Sequence, residues 1–145
     1  MSTKTAVVKQ IGGISFAGRA DSNHWVVMDG PPEFGGSSAA SSPKELILLA
    51  LGGCTLSDVV SILRKKRVVV DAIEVRITAE QSEDHPKVYT RIHLEFVVRG
   101  ATVRPADVAR AIELSETKYC PVSAMLRPAV AITTSFQIEP VPSLA

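Results

Sequence analysis

The stretch from Ser42 to Arg67, SPKELILLALGGCTLSDVVSILRKKR, constrains this chain more than any other. Ser42 suits an N-cap, Pro43 suits the first helical position, and Glu45 completes a capping box three residues on. Arg64, Lys65, Lys66 and Arg67 place cations where a helix C-terminus carries partial negative charge. Between those ends lie Leu46 to Leu51, then Val59, Val60, Ile62 and Leu63, so the helix is apolar almost all round. A helix of that kind is buried on most sides. Gly52, Gly53 and Cys54 interrupt it at the middle. Each glycine disfavours a helix interior by about 1 kcal/mol against alanine. Close approach of another backbone, or of a ligand beside the thiol, would justify them. The plainer reading is a helix crossing of small residues with an inert buried cysteine.

At 145 residues the chain fits one domain, residues 1–145. With 46% apolar and 21% charged residues it can build a true core. A net charge of +1 gives no electrostatic reason to expect nucleic acid or an anionic membrane as partner. The apolar run reads as too short to span a bilayer and as broken by Gly52-Gly53. The N-terminus, MSTKTAVVKQ, lacks the apolar segment of a signal peptide, so the expected location is the cytoplasm. Two cysteines in a reducing compartment are either core residues or a redox pair, not a disulfide framework.

Taken in order, Thr5–Gln10, Ile14–Arg19 and His24–Met28 read as three short strands of a meander. Asp29–Ser42 is a loop of Gly, Pro, Ser and Ala, long enough to be functional or mobile. After the central helix, Val68–Glu80 and Val88–Arg99 alternate in polarity and form an expected antiparallel hairpin. Arg104-Pro105 opens a helix running to Tyr119, and Cys120-Pro121 opens a shorter one that Pro128 stops. That places the Cys120 thiol at a helix N-terminus, where the dipole favours a thiolate. Ala129–Glu139 is the last strand, and PVPSLA is a loose tail. The order βββ-α-ββ-αα-β is an α+β pattern. Three strands on each side of so apolar a helix leave surface uncovered, and a homodimer packing its central helices together would cover it.

Cys54 and Cys120 are the first candidates for chemistry. A peroxidatic thiol must ionise, become a sulfenic acid, and be reached by a second thiol. Cys54 is mid-helix and needs a cationic partner; Asp58, one turn on, works against a thiolate if both share a face. Arg19, ending a strand, is the candidate cation, with simple solvation as its alternative. Glu45 could orient that arginine. Nine positions at about 100° each set Glu45 nearly opposite Cys54, while Lys44 is closer to the cysteine's face. His24, His85 and His93 are scattered without metal-ligand spacing, and His93 reads as an ordinary strand histidine. There is no Gly-rich phosphate loop, G-x-S-x-G or Cys-x-x-Cys.

The segments S-P-K-E-L-I-L-L-A-L-G-G-C and K-Y-C-P-V-S-A-M-L together resemble the OsmC/Ohr family of thiol peroxidases. G-G-C-T-L-S-D-V-V-S-I-L-R-K-K-R and S-E-T-K-Y-C look most like its YhfA-like branch. The resemblance spans nearly the whole chain and implies an intertwined homodimer with a long central helix and two active sites at the subunit interface. It implies that Cys54 attacks the peroxide and that Cys120 resolves the sulfenic acid as a Cys54–Cys120 disulfide. It implies organic or fatty-acid hydroperoxides as substrates, a dithiol such as a lipoylated protein as reductant, and no metal, haem or flavin. Arg19 and Glu45 are the expected arginine–carboxylate pair, although Lys44 stands where the Ohr motif has its glutamate. The expected function is therefore reduction of organic hydroperoxides in oxidative-stress defence. The alternative is a non-catalytic dimeric binding module or redox sensor holding a small hydrophobic ligand.

Overall fold

The computed structural model describes residues 1–140, so Val141–Ala145, most of the expected loose tail, lie outside the described residues. The chain partitions into two compact units, residues 1–48 and the remainder from Leu49.

In the first unit β1 (Ala6–Gly12), β2 (Ser15–Ala20) and β3 (Val26–Met28) form an antiparallel sheet in the order β1-β2-β3. Gly13 turns β1 into β2 at a φ of +56°, and Asn23 turns β2 towards β3 at +63°. Both positions need the left-handed region, which glycine and asparagine tolerate best. Val8, Ile11 and Trp25 of this meander are all exposed in the single chain.

The loop that follows, expected to be functional or mobile, is tied down by hydrogen bonds. The Asp29 carboxylate accepts hydrogen bonds from the amides of Gly30 (2.7 Å), Ser37 (3.2 Å) and Ala39 (3.2 Å). The Asp29 amide donates to the carbonyl of Ser41 at 3.2 Å. Asp29 is buried, and these amides, Gly30's foremost, hold its carboxyl below the usual carboxylate range against the opposing effect of burial. Gly36 is obligatory, because a Cβ there would lie 1.8 Å from the carbonyl oxygen of Gly30.

Helix α1 (Pro43–Lys65) begins with the expected capping box: Glu45 N–H donates to Ser42 Oγ at 3.2 Å, and Ser42 N–H to the Glu45 carboxylate at 3.3 Å. The helix runs unbroken through Gly52 and Gly53 for 23 residues. By length and composition it could cross a bilayer, which corrects the expectation that it is too short and interrupted. Its burial also differs from expectation. Leu51, Gly52, Thr55, Val59 and Leu63 form one buried stripe, while Ile47 and Leu49 are exposed. Within the second unit the stripe belongs to a core helix: a Cβ on Gly52 would lie 2.7 Å from Ile77 Cδ1 and 3.3 Å from Val75 Cγ1. Gly52 is thus the point of close approach between helix and sheet, whereas among the described residues nothing lies within 4 Å of a Cβ on Gly53.

The second unit's sheet has the order β4 (Ala72–Gln81), β5 (Tyr89–Arg99), β6 (Ala131–Glu139). The β4–β5 pair is the expected antiparallel hairpin, and β6 lies parallel to β5 from Arg91↔Ala131 to Arg99↔Glu139. A parallel neighbour needs a long crossover, supplied here by α2 (Pro105–Leu114), a π-helical turn (Ser115–Tyr119) and α3 (Pro121–Leu126). Ile92, Leu94, Phe96 and Val98 fill one face of β5, while Val108, Ala111 and Ile112 of α2 join the core. Asp107 at the start of α2 is buried and pairs with Arg104 (2.9 Å) and with Lys66 (3.3 Å), just past the end of α1.

Candidate active site

Cys54 and Cys120, 66 residues apart in sequence, meet with their sulfurs 3.0 Å apart. Cys54 is carried mid-way along α1, half-buried, and Cys120 is buried at 3% exposure. The helix expected to start at Cys120 starts at Pro121, with Cys120 as its N-cap. The Cys120 backbone is extended (φ −78°, ψ 105°), and its Sγ accepts the amide of Ser123 at 3.3 Å. The backbone amide of Val122 lies close enough to Cys54 to favour its thiolate.

Cys120 owes its position to a departure from ideal helix. The expected α-helix to Tyr119 gives way at Ser115 to a π turn, closed by the Cys120 amide donating to the Ser115 carbonyl at 3.0 Å. Single π turns recur where a helix must re-aim a side chain at a functional site. The Ser115 hydroxyl, 1% exposed, donates to Asp58 Oδ2 at 2.9 Å. Asp58 lies one turn beyond Cys54, and the two do share a face. Ligand atoms of Cys54, Asp58 and Cys120 all lie within 4.8 Å of one another.

This surrounding disfavours the Cys54 thiolate. Burial raises its pKa most, followed by the hydrogen bond with Cys120; the Val122 amide opposes, and the Asp58 charge adds to the rise. A cation is required before Cys54 becomes a strong nucleophile at neutral pH.

Arg19 and Glu45, the expected activating pair, both belong to the first unit and are engaged locally there. Arg19 hydrogen-bonds the Asn23 side chain and sits 5.3 Å from the centre of the Trp25 ring. Glu45 closes the capping box. His93 bridges Thr133 (2.7 Å) and Ser135 (2.8 Å) across β6, the ordinary strand role expected of it. Of the site residues, Asp58 was legible from its four-residue spacing to Cys54. Ser115, Val122 and Ser123 carry no sequence signal that separates them from ordinary helix positions.

A groove of about 310 Å³ begins at Asp58 and is lined by Ile62, Leu114 and Tyr119, with Lys65 and Lys66 also lining it. A larger cavity of about 520 Å³, between Val60 and Ile73, holds no nucleophile and lies at the other end of α1 from its capping box.

Residues 35–135 match the family model described as OsmC-like protein. Protein YhfA of Escherichia coli K12 is 44% identical over 133 residues, covering 92% of this chain and 96% of that protein. A hypothetical protein of Aquifex aeolicus VF5 superimposes with a TM-score of 0.85 at 27% identity, covering 98% of this chain and 100% of that one. An organic hydroperoxide resistance protein OsmC of Legionella pneumophila shares the fold with a TM-score of 0.70 at 16% identity, covering 94% and 98%. Two cysteines brought to one point by a long α1 and a π-turned crossover sit in a chain that belongs to the OsmC-like family.

Proposed function

We propose that this chain reduces organic hydroperoxides to alcohols through its two cysteines. The observation that carries this reading is the 3.0 Å separation of the Cys54 and Cys120 sulfurs, across elements far apart in sequence. The Cys54 thiolate attacks the outer peroxide oxygen, the O–O bond breaks, and the leaving alkoxide takes a proton to become the alcohol. Cys54 is left as sulfenic acid. The Cys120 sulfur then attacks Cys54, water leaves, and a Cys54–Cys120 disulfide forms. An external dithiol, such as a lipoylated protein, reduces the disulfide and is itself oxidised. No metal, haem or flavin takes part in this sequence.

Similarity to proteins described as organic hydroperoxide resistance proteins supports the substrate class. So does the partly apolar groove that begins at Asp58, where a hydrophobic tail can lie. Arg19 is assigned the activating cation and Glu45 its orienting carboxylate, on family resemblance. The protein is assigned as a homodimer: only 28% of the most apolar 18-residue window of α1 is buried in one chain, and the meander leaves Val8, Ile11 and Trp25 exposed. Such faces mark an interaction surface. Cys54→Ser should abolish multiple turnovers with cumene hydroperoxide; retained turnover would overturn the reading.

One observation favours a second reading, a redox sensor or dimeric binding module. Burial, Cys120 and Asp58 all raise the Cys54 pKa. A sensor would show stoichiometric thiol oxidation without repeated turnover in excess dithiol.

A further inference from the structure

The thiol pair and its carboxylate form a donor set that the redox chemistry does not need as a whole. Two thiols suffice for a disulfide, yet Asp58 is brought to both of them, with all three donor atoms within 4.8 Å. Two sulfurs and one carboxylate oxygen are ligands for a borderline-soft divalent cation of the zinc class. Three protein ligands with a fourth position open is the arrangement of an accessible zinc site rather than a closed structural one.

Two of the donors, Cys120 and Asp58, also carry an orienting hydrogen bond, as ligands of metal sites do. The Ser123 amide bonds Cys120 Sγ at 3.3 Å, and the Ser115 hydroxyl bonds Asp58 Oδ2 at 2.9 Å. The Ser115 bond is to Oδ2, one of the two oxygens of the Asp58 carboxylate. With zinc–sulfur bonds of about 2.3 Å, tetrahedral geometry sets two sulfurs about 3.8 Å apart. The present 3.0 Å need open by less than about 1 Å.

We infer that the reduced chain binds one thiophilic divalent cation through Cys54, Cys120 and Asp58. Two thiol protons leave to solvent as the cation binds, and no electron is transferred. The cation is not a cofactor of peroxide reduction but a competing occupant of the same sulfurs. Forming the disulfide removes both sulfur ligands and releases it. The inference does not rest on the peroxidase reading, because binding is read without peroxide.

The test is titration of the reduced protein with Co²⁺, followed by displacement with Zn²⁺. One Co²⁺ per chain should produce a sulfur-to-cobalt charge-transfer band that Zn²⁺ abolishes. The band should be absent from the oxidised protein, from Cys54→Ser and from Cys120→Ser. Asp58→Asn retains an acceptor for Ser115, and should weaken Co²⁺ binding at least about tenfold. No thiolate band at equimolar Co²⁺ overturns the site, and an Asp58→Asn affinity equal to the parent's removes Asp58 from it. Oxidised and reduced protein of the same sequence provide a comparison free of any folding defect.

Discussion

Ser115 holds Asp58 with its hydroxyl, at 2.9 Å, while its carbonyl receives the amide of Cys120 at 3.0 Å. One residue therefore links the helix that carries Cys54 to the residue that must reach it. Ser115→Ala should destabilise the chain by about 1.5 kcal/mol, the low end for a hydrogen bond to a charged acceptor, since Asp58 is half-buried. It should also slow disulfide closure relative to sulfenic acid formation, leaving sulfenic acid to be trapped by dimedone. Asp58→Asn keeps the acceptor and should close the disulfide near the parent rate. Equal trapping in parent and Ser115→Ala would show that the Ser115 hydroxyl does not help to position Cys120.

The rate of Cys54 alkylation against pH reports what activates the thiol. Burial raises its pKa, the Cys120 bond raises it further, and so does the charge of Asp58. Raising a thiol's pKa moves its reactive form to higher pH. Asp58→Asn removes a negative charge and should shift the alkylation midpoint to lower pH. Arg19→Met removes the proposed cation and should shift it to higher pH. An Arg19→Met profile that overlays the parent's takes Arg19 out of the site.

The adjacent glycines of α1 should respond oppositely to alanine. At Gly52 the new Cβ meets Ile77 and Val75, so overpacking of about 1–3 kcal/mol outweighs or cancels the helix gain. At Gly53 nothing among the described residues is displaced, and the single chain should gain about 1 kcal/mol. Urea unfolding of the two variants checks the order. Gly52→Ala more stable than Gly53→Ala would contradict the helix–sheet approach seen at Gly52.

Element order, the capping box and the alternation of β5 were legible because each follows from local periodicity and cap chemistry. The pairing of Cys54 with Cys120 was not, since sequence spacing carries no distance across a crossover; it entered through family resemblance. The π turn at Ser115 has no composition of its own, so SETKY read as ordinary helix. The parallel β5–β6 pair follows from the path of the crossover rather than from either strand. The loop after β3 read as functional or mobile from its length, and the three amides that the Asp29 carboxylate gathers leave no mark in local sequence. The apolar circumference of α1 was read correctly from sequence, but one chain buries only a stripe of it.

Asp29 and Asp107 set the acid limit. Both carboxyls are held below their ordinary value of 3.8, Asp29 first by the Gly30 amide and Asp107 first by Arg104. A depressed folded pKa contributes stability that is complete above the unfolded value and is lost as pH falls through the folded one. The loss should therefore fall below pH 3.8. Asp29→Asn and Asp107→Asn should each flatten that acid limb. Asp29→Asn should also speed hydrogen exchange at the Ser37 and Ala39 amides at neutral pH. Unchanged exchange there would show that the carboxylate does not hold the loop.

The central claim is tested most directly by titrating the reduced protein with cumene hydroperoxide, counting free thiols and mapping the product by mass spectrometry. One equivalent per chain should remove both thiols rapidly and yield a Cys54–Cys120 disulfide, with hydrogen peroxide much slower. Thiols that survive, or that oxidise slowly without pairing to each other, would contradict it.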